Sequence, residues 1–194
     1  MRPPFQLTAK IFKFSTEINR LLGRLEGVRM VVPQPQLRKS NKIKTIQSSL
    51  AIEGNSLDLD QVAAIFDGKR VLGSKKDILE VRNAIELYEK AQKFNPFSLS
   101  DFLRAHGTLM NGLVNEAGKL RTGAVGILKG SKVAHVAPPA KQVPRLMDDL
   151  FQFLKSDQEI LLLIKACVFH YEVEFIHPFL DGNGRMGRFW QFLI

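Results

Sequence analysis

The sequence predicts an all-α domain, a bundle of helices with one small β-hairpin. Through most of the chain, apolar residues recur at steps of three and four, the period of an amphipathic helix. Glycines and prolines separate these segments. Residues 118–139 are instead rich in glycine and valine, which indicates extended structure. The 194 residues, 45% hydrophobic and 24% charged, suit one globular domain with a sizeable core.

The composition limits the class of protein. The single cysteine, Cys167, lies in an apolar helical segment, so a disulfide framework is excluded and a reducing compartment is favoured. The N-terminus lacks the apolar region of a signal peptide. No uninterrupted apolar run approaches the roughly 20 residues that span a bilayer. We therefore expect a soluble, cytoplasmic protein without a membrane partner.

The net charge of +9 is concentrated at the N-terminus. Residues 1–45 hold ten Lys/Arg and two Asp/Glu, whereas residues 46–194 hold eighteen and seventeen. A solvated helix face is the favoured interpretation of this excess. A surface for a polyanion or an acidic partner is the alternative, so nucleic-acid binding is possible but not favoured.

Three helices are predicted in the first third of the chain. Residues 7–26 form an amphipathic helix that stops near Gly27, and residues 37–52 form a second helix that ends at Gly54. Asp58 starts a third, short helix with the spacing of a capping box. The apolar stripe of the first helix, which we expect in the core, is Ile11, Phe14, Ile18, Leu21, Leu22 and Leu25.

The rest of the chain predicts further helices around the hairpin. Residues 77–93 form one helix, and Ser98 caps the next, whose apolar stripe includes His106. We expect His106 in or near the core and not in catalysis. Later helices cover residues 143–155 and about 157–175, and the second of these is apolar on nearly every side, which predicts a buried position.

Residues 177–188 place unusual chemistry between two apolar helical segments. Pro178 predicts the end of the first helix, because helical backbone is disfavoured at the residue before a proline. The glycines permit close backbone approach, and the next helix begins with free N–H groups that bind anions. Arg185 and Arg188 lie near that start, where a cation opposes the helix dipole. Each residue alone also has an ordinary structural role, but together they indicate a polyphosphate site.

This segment resembles the signature of the Fic (filamentation induced by cAMP) family. The sequence His177-Pro178-Phe179-Leu180-Asp181-Gly182-Asn183-Gly184-Arg185-Met186-Gly187-Arg188 matches the pattern His-Pro-Phe-x-(Asp/Glu)-Gly-Asn-Gly-Arg-x-x-Arg without a departure. The resemblance implies a Fic-type helical core that transfers AMP from ATP to a hydroxyl group of a target protein.

The resemblance also implies residue roles. His177 would be the catalytic base, and Asp181 would hold Mg²⁺, which favours one or two carboxylates with phosphate oxygens. The Asn183 side chain would assist the backbone at the α- and β-phosphates, and Arg185 and Arg188 would hold the β- and γ-phosphates. The nucleotide-binding residues are thus Gly182, Asn183, Gly184, Arg185 and Arg188.

A second, shorter resemblance lies at the end of the second predicted helix. Ser49 to Gly54 resembles the inhibitory motif (Ser/Thr)-x-x-x-Glu-(Gly/Asn) of Fic proteins. It implies that Glu53, with Ser49, pairs with Arg188 and keeps the γ-phosphate from a productive pose. From the local sequence alone, the favoured interpretation of Glu53 is a surface acid or a hydrogen-bond acceptor at a helix end.

The hairpin is predicted from residues 123–128 and 132–136, joined by Gly130-Ser131. It resembles the Fic flap, which holds an extended segment of the target by strand addition. A purely structural hairpin is the alternative. The residues assigned to target binding are Gly123, Val125, Ile127, Val133 and His135.

We divide the chain into an N-terminal helical region, residues 1–75, and a catalytic core, residues 76–194. Because the sequence stops inside an apolar stretch soon after Arg188, we expect a fragment that lacks the end of the core. Two alternative functions stay open: another phosphate-containing transfer or AMP removal at the same site, and a non-catalytic regulator that binds a partner or nucleic acid.

Overall fold

Helices form where the apolar spacing predicts them. The structure, a computed structural model, describes residues 3–29, 35–129, 132–156 and 160–194. Within these ranges the predicted all-α class is confirmed. The helices are α1 (Ala9–Arg29), α2 (Pro35–Ile52), α3 (Leu59–Phe66), α4 (Lys75–Glu89), α5 (Leu99–Leu109), α6 (Val143–Ser156), α7 (Leu162–Ile176) and α8 (Asn183–Leu193). None of them is long and apolar enough to cross a membrane.

Side-chain caps set several helix starts. The Asp58 carboxylate accepts a hydrogen bond from the Gln61 N–H, and the Gln61 side chain accepts one from the Asp58 N–H, which confirms the predicted capping box. Ser98 caps α5, as predicted. Ser74 caps α4 in the same way, so that α4 begins two residues earlier than its apolar pattern indicates.

An aromatic cluster forms the centre of the core. The Phe102 ring on α5 lies 5.0 to 6.0 Å from four other rings, in stacked or edge-to-face arrangements. These rings belong to Phe151, Phe169, Phe179 and Trp190. The cluster joins α5, α6, α7 and α8, and it fixes Phe179 of the loop between α7 and α8.

The expected burial of α1 is wrong. Its stripe is exposed by 36% at Ile11 and by 52% at Leu25, and the helix continues through Gly27 to Arg29. Side-chain spacing determines which residues share a face, but burial also needs an opposing surface, and residues of α1 and α7 line a cavity between the two helices. Ser15, which lines this cavity, is buried.

The expected burial of α7 is also only partly correct. Phe169, Val173 and Ile176 are buried, but Leu162 and Tyr171 are exposed, so the helix has an outer apolar face. The buried Lys165 ammonium donates a hydrogen bond to the Leu154 carbonyl on α6. Of the predicted helix start, residues 157–159 lie outside the described residues.

Two short strands interrupt the helices. Strands β1 (Gly126–Lys129) and β2 (Lys132–Val136) pair antiparallel, and the register shifts by one residue after the Ile127–His135 pair. The predicted turn, Gly130-Ser131, lies outside the described residues. Gly123 and Val125 were expected in the strand, but they precede it as irregular backbone.

Candidate active site

The signature loop, residues 177–182, joins the end of α7 to the start of α8. His177 closes α7 in a left-handed conformation, φ 51° and ψ 62°, and its N–H donates to the Val173 carbonyl at 2.9 Å. Among the described residues it is the one non-glycine residue with positive φ. Pro178 prevents the helix from continuing, and a left-handed residue is a common way to end it. Such backbone conformations are costly and concentrate at functional sites.

Asn183 holds the loop closed on itself. Its Oδ1 accepts a hydrogen bond from the Phe179 N–H, and its Nδ2 donates one to the Phe179 carbonyl, both at 2.9 Å. Both residues are buried. These two bonds use one acceptor and one donor position of the amide, and the role of the Asn183 side chain at the phosphates stays a prediction. Its backbone N–H remains in the first turn of α8.

The start of α8 has the form of an anion site. Gly182 is its N-cap with φ 84°, and no side chain caps the helix. The first intrahelical hydrogen bond runs from the Met186 N–H to the Gly182 carbonyl, so the earlier N–H groups have no partner within the helix. A Cβ atom at Gly182 would lie 2.8 Å from the Met110 sulfur, which explains the glycine there. These N–H groups and the helix dipole favour a phosphate.

Asp181 lies beside this anion site. Its side chain is half-exposed, and its Oδ1 accepts hydrogen bonds from the Gly182 N–H at 2.5 Å and from Arg185 Nη2 at 2.8 Å. Both bonds use the same oxygen. A half-exposed carboxylate next to a phosphate site fits the oxygen ligands that Mg²⁺ takes from proteins and nucleotides.

Arg185 is buried between two carboxylates. Its Nη2 bonds to Asp181, and its Nη1 lies 3.3 Å from Oε1 of Glu80 on α4. Glu80 is also buried, and it accepts a hydrogen bond from Asn55 at 2.9 Å. Within the described residues, Nε and Nη1 of Arg185 make no hydrogen bond. Of these two donors, Nη1 faces the Glu80 carboxylate and Nε is suited to a further anion. The sequence signal for Glu80, an acid inside a helical core stripe, was missed.

Arg188 is held by the end of α2. Its Nε donates to Ser49 Oγ at 2.9 Å, and its Nη2 donates to the Ser49 carbonyl at 3.0 Å and to Glu53 Oε1 at 2.6 Å. The Glu53 carboxylate also lies directly against Gly184, where a Cβ atom would collide with it. Glu53 therefore places a negative charge on the first turn of α8, the position that suits a phosphate.

His106 supports the signature loop from α5. It is buried, as expected, and its ring stacks on Phe179 with the ring centres 3.6 Å apart. Its Nδ1 accepts from the Gly118 N–H at 2.8 Å, so Nε2 carries the proton and donates to the Asp181 carbonyl at 3.0 Å. Burial lowers the pKa of His106 to about 4, which keeps it neutral.

The structure places the other predicted residues in two groups. Asp181, Gly182 and both arginines lie around the start of α8, with Ser49 and Glu53 against Arg188, and the predicted base His177 lies at the other end of the signature loop. Gly123 and Val125 precede β1, and Ile127, Val133 and His135 lie on the strands. A further buried residue, Arg121, donates a hydrogen bond to the His177 carbonyl and had no predicted role.

Comparison with known proteins identifies the family. Residues 96–194, just over half of the chain, match the Fic/DOC family. A protein adenylyltransferase Fic of Nematostella vectensis is 31% identical over 168 residues, which is 81% of this chain and 38% of that protein. Protein adenylyltransferase fic-1 of Caenorhabditis briggsae is 30% identical over 156 residues, 74% of this chain and 29% of that protein. The chain thus spans well under half of these relatives.

Solved structures agree with this assignment. A Fic family protein from Desulfovibrio desulfuricans has a TM-score of 0.91 and 48% sequence identity, over 100% of this chain and 59% of that one. A Fic domain-containing protein from Bacteroides thetaiotaomicron, 24% identical over 91% of this chain and 70% of its own, shares the fold with a TM-score of 0.76. The chain therefore belongs to the Fic/DOC family.

Proposed function

We propose that this chain is the transfer domain of a protein adenylyltransferase, which moves AMP from ATP to a hydroxyl group of a target protein. One observation carries the proposal: Asp181 and the buried Arg185 guanidinium group lie together at the uncapped start of α8, at the end of the signature loop that His177 begins. The protein adenylyltransferases among the relatives support the same chemistry.

In the proposed reaction, His177 accepts the proton of the target hydroxyl group as its oxygen attacks the α-phosphorus of ATP. The bond from the α-phosphorus to the bridging oxygen breaks, and pyrophosphate leaves with that oxygen and its electron pair. The products are the AMP ester of the target and pyrophosphate. Mg²⁺, when bound through Asp181, would neutralise charge on the phosphates.

The chain itself would bind the phosphates through three groups. The N–H groups of Asn183 and Gly184 at the start of α8 would bind phosphate oxygens. Arg185 would donate from Nε, which is buried and makes no hydrogen bond within the described residues. Arg188 would bind the γ-phosphate after its present partners release it.

We further propose that Glu53 inhibits this domain. The Glu53 carboxylate lies against Gly184 and pairs with Arg188, so it would repel a γ-phosphate and occupy the arginine that binds it. ATP would then bind in a pose unsuited to in-line attack. In this arrangement residues 1–75 carry the inhibitory segment, and residues 76–194 form the catalytic core.

The hairpin would present the target. Within the described sheet, β1 and β2 pair only with each other, so each has an outer edge of backbone groups without a strand partner. An extended segment of the target could add to such an edge beside the signature loop. The residues proposed for this contact remain Gly123, Val125, Ile127, Val133 and His135.

Mass spectrometry after incubation with ATP and Mg²⁺ tests the reaction and the inhibition together. We expect Glu53→Gly to raise the rate of AMP addition to the protein by about tenfold or more, the equivalent of ~1.4 kcal/mol. Adding His177→Ala should abolish the addition. Glu17→Gly, which removes an exposed glutamate paired with Arg20, is the matched control and should change nothing.

Three outcomes would contradict these proposals. An unchanged rate in Glu53→Gly would exclude the inhibitory role, and AMP addition that survives His177→Ala would exclude the base. A phosphocholine or UMP adduct in place of AMP, from a panel of nucleotide donors, would replace the substrate but keep the site.

A further inference from the structure

We propose that Arg121 is a positioning residue that fixes the backbone of His177 and ties it to the base of the hairpin. Arg121 is 2% exposed and lies between the signature loop and the two chain segments that flank β1 and β2. The proposal rests on the proposed function, because it assigns Arg121 the task of aiming the catalytic base.

On the loop side, Arg121 bonds to three consecutive carbonyl groups. Its Nε donates to the His177 carbonyl at 2.7 Å, and its Nη2 donates to the Ile176 carbonyl at 3.2 Å. Its backbone N–H donates to the Pro178 carbonyl at 2.9 Å. The last carbonyls of a helix have no intrahelical partner and carry partial negative charge, so a guanidinium group is well matched to this end of α7.

On the hairpin side, Arg121 bonds to a residue in the segment that precedes β1 and to a residue in the segment that follows β2. Its Nη1 donates to the Gly123 carbonyl at 2.7 Å, and its Nη2 donates to the Pro138 carbonyl at 2.6 Å. The segments that flank the two strands are thereby joined to the backbone of His177 through one side chain. Only arginine presents five N–H donors in a rigid plane, which such a set of carbonyls requires.

The position of these bonds explains why a helix cap would also serve catalysis. His177 is left-handed, a conformation that non-glycine residues leave readily unless their surroundings hold it. Arg121 bonds to His177 and to both its chain neighbours, so it restrains the backbone angles that aim the imidazole. Any movement of the hairpin base on target docking would reach His177 through the same guanidinium group.

The test compares Arg121→Lys with the matched control Arg145→Lys, both in the Glu53→Gly protein. Lysine keeps the charge but loses the planar set of donors, and Arg145 is largely exposed on α6. We expect Arg121→Lys to lower kcat for AMP addition by about 100-fold, the effect of a displacement near 1 Å. The Kd for ATP should change by less than about threefold, because the phosphate-binding groups lie on α8.

Amide hydrogen exchange provides a readout that does not depend on activity. We expect the backbone at residues 176–180 to exchange about tenfold faster in Arg121→Lys and at the original rate in Arg145→Lys. If the Glu53→Gly protein is active and adding Arg121→Lys leaves kcat unchanged, the positioning role is overturned. Unchanged amide exchange at residues 176–180 overturns it whether or not the protein is active. A parallel loss of ATP binding and folding would assign Arg121 to the scaffold and overturn it too.

If the Glu53→Gly protein forms no AMP adduct, the proposed function fails. The exchange measurement then still decides whether Arg121 holds the His177 backbone, so the two failures are distinguishable.

Discussion

The two arginines of α8 are held by carboxylates in opposite ways. Arg185 and its partner Glu80 have side chains that are only 5% and 8% exposed, and Asn55 adds a further bond to Glu80. Arg188 and Glu53 are 23% and 32% exposed, and their contact joins α8 to the end of α2. The same kind of ion pair thus occurs once inside the core and once near solvent.

The difference in burial gives the two pairs different consequences. Removing one member of a buried pair leaves an uncompensated charge without water, which is strongly destabilising. A pair near solvent contributes little, because water replaces either partner. The inner pair, Arg185–Glu80, therefore fixes the site, whereas the outer pair, Arg188–Glu53, can be released at low cost. An inhibitory contact that can be released must be of this second, more exposed kind.

The largest expected effect is the loss of the inner pair. Glu80→Gln keeps the shape but removes one of the two charges opposite Arg185. Because Asp181 still pairs with Arg185, we expect the free energy of unfolding to fall by about 3 kcal/mol, the lower end for a broken buried pair. Chemical denaturation measures this change. Glu86→Gln, on the exposed side of the same helix, is the control and should cost less than about 1 kcal/mol. Equal losses in the two variants would refute the distinction by burial.

The next effect concerns His106, which donates a hydrogen bond to the Asp181 carbonyl. Its folded pKa of about 4 lies below the unfolded value near 6.5, so the unfolded chain binds a proton first as the pH falls. The stabilisation is complete above pH ~6.5 and is lost towards pH 4, by about 3 kcal/mol.

His106→Gln provides the control for this pH dependence. Denaturation is measured at several pH values in EDTA, which removes metal ions. As the pH falls from 6.5 to 4, the free energy of unfolding should fall more steeply in the wild type than in the variant. The raised pKa of His170, caused mainly by Glu174, acts in the opposite direction but is common to both proteins. Parallel curves would show that His106 is not held neutral by burial.

The sequence predicted the features that local chemistry determines. Side-chain caps at Asp58 and Ser98 act within one turn, so their roles could be inferred from neighbouring residues. The end of α7 before Pro178 and the glycine start of α8 follow from the same short-range rules. The helical class and the signature loop could therefore be stated without coordinates.

The supports of the site depend on distant residues and could not be predicted in this way. Arg121 meets the His177 carbonyl across 56 positions of sequence, and His106 meets the Asp181 carbonyl across 75. Glu80 and His106 did carry a signal, because a polar residue inside an apolar helical stripe must find a buried partner. The apolar spacing of the helix does not identify that partner.

The stripe of α1 shows a second limit. The apolar period predicted the helix correctly, but the expectation of burial assumed a covering surface. Asn183 shows a third, because its amide could bind either a ligand or the chain, and only the coordinates show its two bonds with the Phe179 backbone. In both cases the residue types fit two environments equally well.

A smaller effect is expected at the outer pair from Ser49→Ala. The variant removes the hydroxyl that accepts from Arg188 Nε but keeps the Ser49 carbonyl contact. We expect about 1 kcal/mol less stability and a rise of about two- to fivefold in the rate of AMP addition, because Arg188 is released more often. Ser48→Ala, at an exposed neighbouring position, should leave both quantities unchanged. A fall in the rate would mean that Ser49 assists the active state.

The smallest change in stability is expected from Glu53→Gln, the counterpart of Glu80→Gln at the outer pair. Arg188 keeps both contacts with Ser49, and water can solvate the part of the guanidinium group that Glu53 leaves. The free energy of unfolding should therefore fall by less than about 1 kcal/mol. AMP addition should nevertheless become faster, because a neutral amide beside Gly184 no longer repels the γ-phosphate. If this variant loses as much stability as Glu80→Gln, Glu53 is part of the scaffold, and inhibition by a contact that can be released is excluded.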